Sequence, residues 1–143
     1  MKQRDKAKMD LVRQWLERAE KDFNLARYLA AQRHSLLEAI AFHSQQTAEK
    51  LLKGFLVFHQ ADFPKTHNLG ELLDLVATRD PALAVELADI TALNPYGVEY
   101  RYPGDFPELT QKDADDAYRL AEKVWLEIKP RLSPDPASYP SGH

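Results

Sequence analysis

Residues 35–59 read SLLEAIAFHSQQTAEKLLKGFLVFH, an apolar-rich run with a polar insert at its middle. Leu36, Leu37, Ile40, Ala41, Ala48, Leu51, Leu52 and Phe55 share one broad face at helical spacing. Ser35 with Glu38 three residues on forms a capping-box pattern: the hydroxyl takes a free N–H of the first turn and the carboxylate reaches back. The spacing predicts a helix from Ser35 to about His59, roughly 37 Å long at ~1.5 Å per residue.

The neighbouring segments follow the same period. Upstream, Met9, Val12, Leu16, Ala19, Phe23, Ala26 and Ala30 alternate steps of three and four. Leu11, Trp15, Leu25 and Leu29 widen that stripe, so the first helix is expected to pack against more than one neighbour. Downstream, ADFPKTHN is a loop. Asn68 then caps LGELLDLVA, with Glu71 at the reciprocal position. Asp80-Pro81 opens a fourth helix, ALAVELADITAL, expected to end before Asn94-Pro95. NPYGVEYRYPGDFPE carries three prolines and two glycines and reads as a loop. Thr110, with Asp113 three on, caps a closing helix whose buried face is Ala114, Ala117, Tyr118, Ala121, Val124, Trp125, Ile128 and Leu132. No segment sustains a period of two. The expected fold is all-α: an up-and-down bundle of four to five helices over 1–132, followed by a disordered Pro-rich tail, 133–143.

Composition narrows the function classes. At 143 residues the chain is one domain, and without cysteine it holds neither disulfides nor thiolate sites. The charged N-terminus has no apolar h-region, and no apolar run approaches the ~20 residues of a membrane span. A soluble, cytoplasmic protein without membrane contact is expected. The net charge of −3 argues against non-specific nucleic-acid binding by the whole surface. The charge is uneven: residues 1–67 hold 12 Lys/Arg against 8 Asp/Glu, and residues 68–143 hold 7 against 14.

His43, Gln46, Lys50 and Lys53 lie along one flank of the second helix, about 100° from its apolar centre. An imidazole, an amide and two ammonium groups over three turns make a track of donors that can hold a phosphate or a nucleotide edge. The plain alternative is a solvated flank, with Glu49 pairing Lys53 at i, i+4 and His43 hydrogen-bonding inside the bundle. Lys50 has Gln46, not an acid, at i−4, so its charge lacks a partner on its own helix. His67 precedes a helix N-terminus, where free N–H groups favour anions. Arg101 stands between Tyr100 and Tyr102, a setting for clamping a phosphate or stacking a base. These tyrosines can equally pack the loop while Arg101 pairs with Glu99 or Asp105. His43 and His67 lack any recognised metal-ligand spacing, and no P-loop, glycine-rich dinucleotide turn or Ser-His-Asp relay is present. Neither a metal nor a cofactor is expected.

FHSQQTAEKLLKGFLVFHQADFPKTHNLGELL, followed by YRYP, resembles the HEPN domain (higher eukaryotes and prokaryotes nucleotide-binding) over roughly residues 10–130. The combination H-x-x-Q-x-x-E-K, T-H-x-L and R-Y-P carries the likeness, and Trp15, Ala19 and Asp22 suit the family's opening helix. The resemblance implies a bundle of four or five helices that usually dimerises. It implies one of two roles. The domain partners a minimal nucleotidyltransferase in a two-component module of toxin–antitoxin type, or it is a metal-independent ribonuclease with an Arg-x(4–6)-His motif. At the fourth to sixth residue after each arginine no histidine stands; after Arg101 these are Asp105, Phe106 and Pro107. The expectation is therefore a homodimeric binding protein for a nucleotide, an RNA or a nucleotidyltransferase, with no catalytic residue assigned. Phosphate contacts would come from Lys50 and Arg101, hydrogen bonds from His43 and His67, and edge reading from Gln46. A divergent ribonuclease using His43 and His67, or a purely structural dimeric module, are the alternatives.

Overall fold

The computed structural model describes residues 3–32, 36–97 and 108–133. Among them are five α-helices, two 3-10 segments and no strand: α1 (Gln3–Ala31), α2 (Leu37–Phe58), α3 (Leu69–Ala77), α4 (Pro81–Glu86), a 3-10 segment at Ala88–Tyr96, α5 (Gln111–Ile128) and a short 3-10 turn at Lys129–Leu132. The all-α expectation holds. The tail beyond Ser133 and the YRYP stretch lie outside the described residues.

Helix α2 is the centre of the bundle and buries 13 of its 22 residues. It packs along α1 and α5, with α3 and the first 3-10 segment also packed against it. Leu51, Leu52, Phe55 and Leu56 meet Leu69, Leu72, Leu83, Leu87, Ile90, Leu93, Val124 and Ile128 in one continuous core. Burying each such side chain contributes about 1.5–3 kcal/mol. Between α1 and α5, Phe23 stacks on Tyr118 and Trp125 at centroid distances of 5.9 and 4.9 Å.

Three expected caps form as read; among them, Asp80 accepts from the N–H of Leu83, with Pro81 in the first turn. The Asn68 side chain accepts from the N–H groups of Gly70 and Glu71, and Thr110 with Asp113 makes a reciprocal capping box. Two expectations need correction. Helix α2 begins at Leu37 with Leu36 at its cap position and no side-chain cap; Ser35 lies outside the described residues. Leu11 and Leu25 are 50% and 41% exposed, yet α1 packs against both α2 and α5, as its wide stripe predicts. The fourth helix stops at Glu86 rather than running to Leu93. From Leu87 the buried side chains are Leu87, Ile90 and Leu93, spaced by three. That spacing suits three residues per turn, so the chain tightens from α-helix to 3-10 to keep all three in the core.

Gly54 sets how closely α1 and α2 approach. A Cβ there would lie 3.3 Å from Cβ of Trp15 and 3.5 Å from Cδ1 of Leu132. Valine would add two further methyl groups to that contact. Gly54→Val is expected to lower unfolding free energy by about 1–3 kcal/mol, read from urea denaturation followed by circular dichroism.

Candidate functional site

Two carboxylates organise the polar flank of α2. Asp22 comes from α1, placed inward by the same period that buries Ala19, Phe23 and Ala26. Its Oδ1 lies 2.7 Å from His43 Nδ1, and its Oδ2 accepts from Lys50 Nζ at 2.5 Å. Burial alone would raise its carboxyl, but the hydrogen bonds from His43 and Lys50 prevail and hold it below the ordinary carboxylate range. The expectation that Lys50 is an unpaired cation is thus corrected: its own helix offers no acid, and α1 supplies one.

The second carboxylate, Glu49, is on α2 itself and buried. It accepts from Lys53 Nζ at 3.1 Å and from Gln45 Nε2 at 3.2 Å. His67 Nδ1 lies 3.0 Å from its Oε1. Gln45 is buried too, and its Oε1 accepts from Gln46 at 2.6 Å. Lys53 is enclosed as well, with its ammonium 5.6 Å from the Trp15 ring centroid and 6.0 Å from that of Phe63. The i, i+4 pairing of Glu49 with Lys53 is therefore real, and it sits inside the bundle. His67 turns its Nδ1 edge to Glu49, while its side chain remains 78% exposed.

An ionised carboxylate only accepts, so Nδ1 of each imidazole carries the proton. In a neutral ring Nε2 is then a fixed acceptor; in the imidazolium it becomes a donor. Among the described residues nothing hydrogen-bonds to Nε2 of His43 or His67. The arrangement presents two oriented imidazole edges, each beside a lysine neutralised by the same carboxylate. It also uses Asp22, which spacing on a single helix could not connect to His43 and Lys50, since they lie 21 and 28 residues away.

Of the sequence-based site, His43, Gln46, Lys50, Lys53 and His67 gather around these two carboxylates, and Gln45, Glu49 and Asp22 join them. Tyr100, Arg101 and Tyr102 lie outside the described residues. Before that stretch, Gly97 lies against Gln45, where a Cβ would stand 3.1 Å from its side-chain carbonyl carbon. Arg101 is four residues further along. One spacing is also corrected: six residues separate Arg27 from His34, which meets Arg-x(4–6)-His when intervening residues are counted. His34 lies outside the described residues. Arg27 is exposed on α1, bonded to Asn24 Oδ1 at 2.7 Å with its guanidinium 5.4 Å from the Phe23 centroid. Among the described residues no group of three or more His, Cys, Asp or Glu is placed to hold a metal, and no helix is long and apolar enough to cross a membrane.

Comparison with known proteins places this geometry in context. The family model described as the HEPN domain matches residues 12–130, a span that includes Asp22, His43, Lys50 and His67. The fold is similar to the crystal structure of an archaeal HEPN homologue, with a TM-score of 0.65 and 26% identity, covering 85% of this chain and 98% of that one. It is also similar to the crystal structure of a protein from Thermus thermophilus, with a TM-score of 0.62 and 27% identity, covering 79% and 91% of the respective chains. No curated protein matches the chain.

The two carboxylates make separable predictions. Glu49→Ala strands the buried Lys53 charge and is expected to cost about 3–5 kcal/mol in chemical denaturation. Asp22 is read through pH. Its folded pKa is depressed, so its stabilisation is complete above its unfolded value near ~3.9 and is lost as pH falls through the lower folded value. The stability gap between the natural chain and Asp22→Asn should be flat from neutrality down to about pH 5 and shrink below about pH 4, followed by urea midpoints.

Proposed function

The chain belongs to the HEPN domain family, and from that premise we propose that it binds a phosphate-bearing ligand, a nucleotide or an RNA segment, along the His43–Lys50 edge of α2. One observation carries this reading: His43 and Lys50 converge on a single buried carboxylate, Asp22. With His43 protonated, two cationic groups face one acid, and the surplus charge and donors suit a phosphate oxygen. His67 on Glu49 repeats the device beside it, and Gln46 stands between as an edge-reading amide. Arg101, between Tyr100 and Tyr102 in the sequence, is proposed as a further phosphate contact. The family's habit of pairing supports a two-fold homodimer, and the exposed Leu25, Tyr28 and Leu126 offer it apolar surface. A minimal nucleotidyltransferase, in a two-component module of toxin–antitoxin type, would use the same edge as a protein partner.

A second reading, metal-independent ribonuclease, is favoured by the Asp22–His43 pair itself. A carboxylate that fixes the tautomer leaves Nε2 as a general base, the arrangement used to take a proton from a hydroxyl. Binding and cleavage separate in one experiment. Each charge-assisted hydrogen bond to phosphate contributes roughly 1.5–3 kcal/mol, so Lys50→Ala and Arg101→Ala should each weaken binding of a single-stranded RNA oligonucleotide by about tenfold or more. Calorimetry on folded protein reads this; equal affinity in both variants removes the proposed site. Cleavage of a mixed RNA pool without metal, lost in His43→Ala or His67→Ala, would place the ribonuclease reading first.

A further inference from the structure

Helix α2 ends in a turn with an uncommon residue. Gln60 adopts φ of 55°, the left-handed region that glycine normally fills. The N–H of Gln60 donates to Val57 and that of Ala61 to Leu56, at 3.0 and 2.9 Å, closing the last carbonyls of the helix. This turn sends Gln60–Phe63 back beside the first turns of α1. Between them lies a groove of about 490 Å³, lined by Arg4, Lys8, Leu11, Val57, Asp62 and Phe63 among others. It is separate from the His43–Lys50 edge.

The groove combines an aliphatic floor with a cationic rim. Leu11 is half exposed and Val57 and Ala61 are partly covered. Arg4 and Lys8 stand one helical turn apart on α1, and neither has a carboxylate partner among the described residues. Lys8 rests over the Phe58 ring at 5.0 Å instead. His59, adjoining Gln60, is held below the ordinary imidazole range chiefly by burial, with Arg79 and then Lys8 adding to it and Asp80 opposing. Arg13, Lys112 and Lys123, by contrast, pair with Asp10, Asp116 and Asp89.

We propose that this groove docks an acidic peptide segment carrying a large apolar side chain: the apolar residue enters against Leu11, Val57 and Phe63, and its flanking carboxylates meet Arg4 and Lys8. Charge complementarity identifies the partner. A nucleic acid fits less well, because the floor is aliphatic where bases need open aromatic faces. The groove's one aromatic, Phe63, already packs edge-on against Trp15 and faces Lys53.

The test is fluorescence anisotropy with a fluorescein-labelled peptide bearing a central Leu-Phe pair and glutamates on both sides. Saturable, salt-sensitive binding is expected, weakened at least fivefold in the double variant Arg4→Ala, Lys8→Ala and also in Leu11→Asn, and unchanged in Lys50→Ala. These are surface positions, and circular dichroism confirms that the variants keep their helices. Absence of saturable binding, or equal binding in the double variant, overturns the proposal. So does tighter capture of a labelled uridine oligonucleotide by the same residues, which would make the groove a nucleic-acid track. Dissociation of a dimer in the double variant, seen by sedimentation, would assign the groove to a second copy of the chain and overturn it equally.

Discussion

Everything in this bundle is arranged around the near-complete enclosure of α2. A helix packed on α1, α5, α3 and a 3-10 segment has little circumference left for water. Any charged side chain it carries through the core must therefore find a partner inside, because an unpaired buried charge is unstable there. The chain meets that demand with Asp22 for His43 and Lys50, and with Glu49 for Lys53, Gln45 and His67. The polar insert is consequently neither a solvated flank nor a row of free cations. It is an internal network with one edge open to solvent.

That double character bears on function. A residue locked by a buried partner is expensive to reorganise, and a site built from such residues is already in its working geometry when a ligand arrives. His43 and His67 show their remaining nitrogens in fixed tautomers, and Lys50 keeps its position on Asp22. The same bonds tie α1 to α2 and the 59–68 connection to α2, so the candidate site and the scaffold share their contacts. Substitution of a carboxylate would report on stability, whereas substitution at the open edge would report on the proposed binding.

Most of the architecture was legible from periodicity and caps. The α1 stripe, the Asn68 cap and the Thr110–Asp113 box are local signals, decided within a few residues. The end of α4 was not legible as a helix boundary, because a run of Leu87, Ile90 and Leu93 serves an α-helix and a 3-10 segment alike until the core position of each is known. The candidate site was half legible. Its α2 residues share a flank and could be grouped, and Glu49 with Lys53 could be paired at i, i+4. Asp22 could not be connected to Lys50, since nothing on one helix records what the neighbouring helix brings against it. The burial of Gln45 and Glu49 was hidden for the same reason: a position well away from the apolar centre is still covered when a second and third neighbour pack there.

Asp22 also fixes how α1 may slide along α2. Moving α1 by one turn, about 5.4 Å, would keep much of its apolar stripe in contact, since the stripe repeats at nearly that interval. The ion positions do not repeat. One direction brings Ala26 opposite His43 and Lys50 and leaves the lysine without an acid; the other brings Arg18 there and sets cation against cation. Both slipped arrangements lose what the correct one gains, although their hydrophobic matches are comparable. The single acid on the inner face of α1 thus acts as an index mark: it makes one alignment of two long, repetitive surfaces distinguishable from the next.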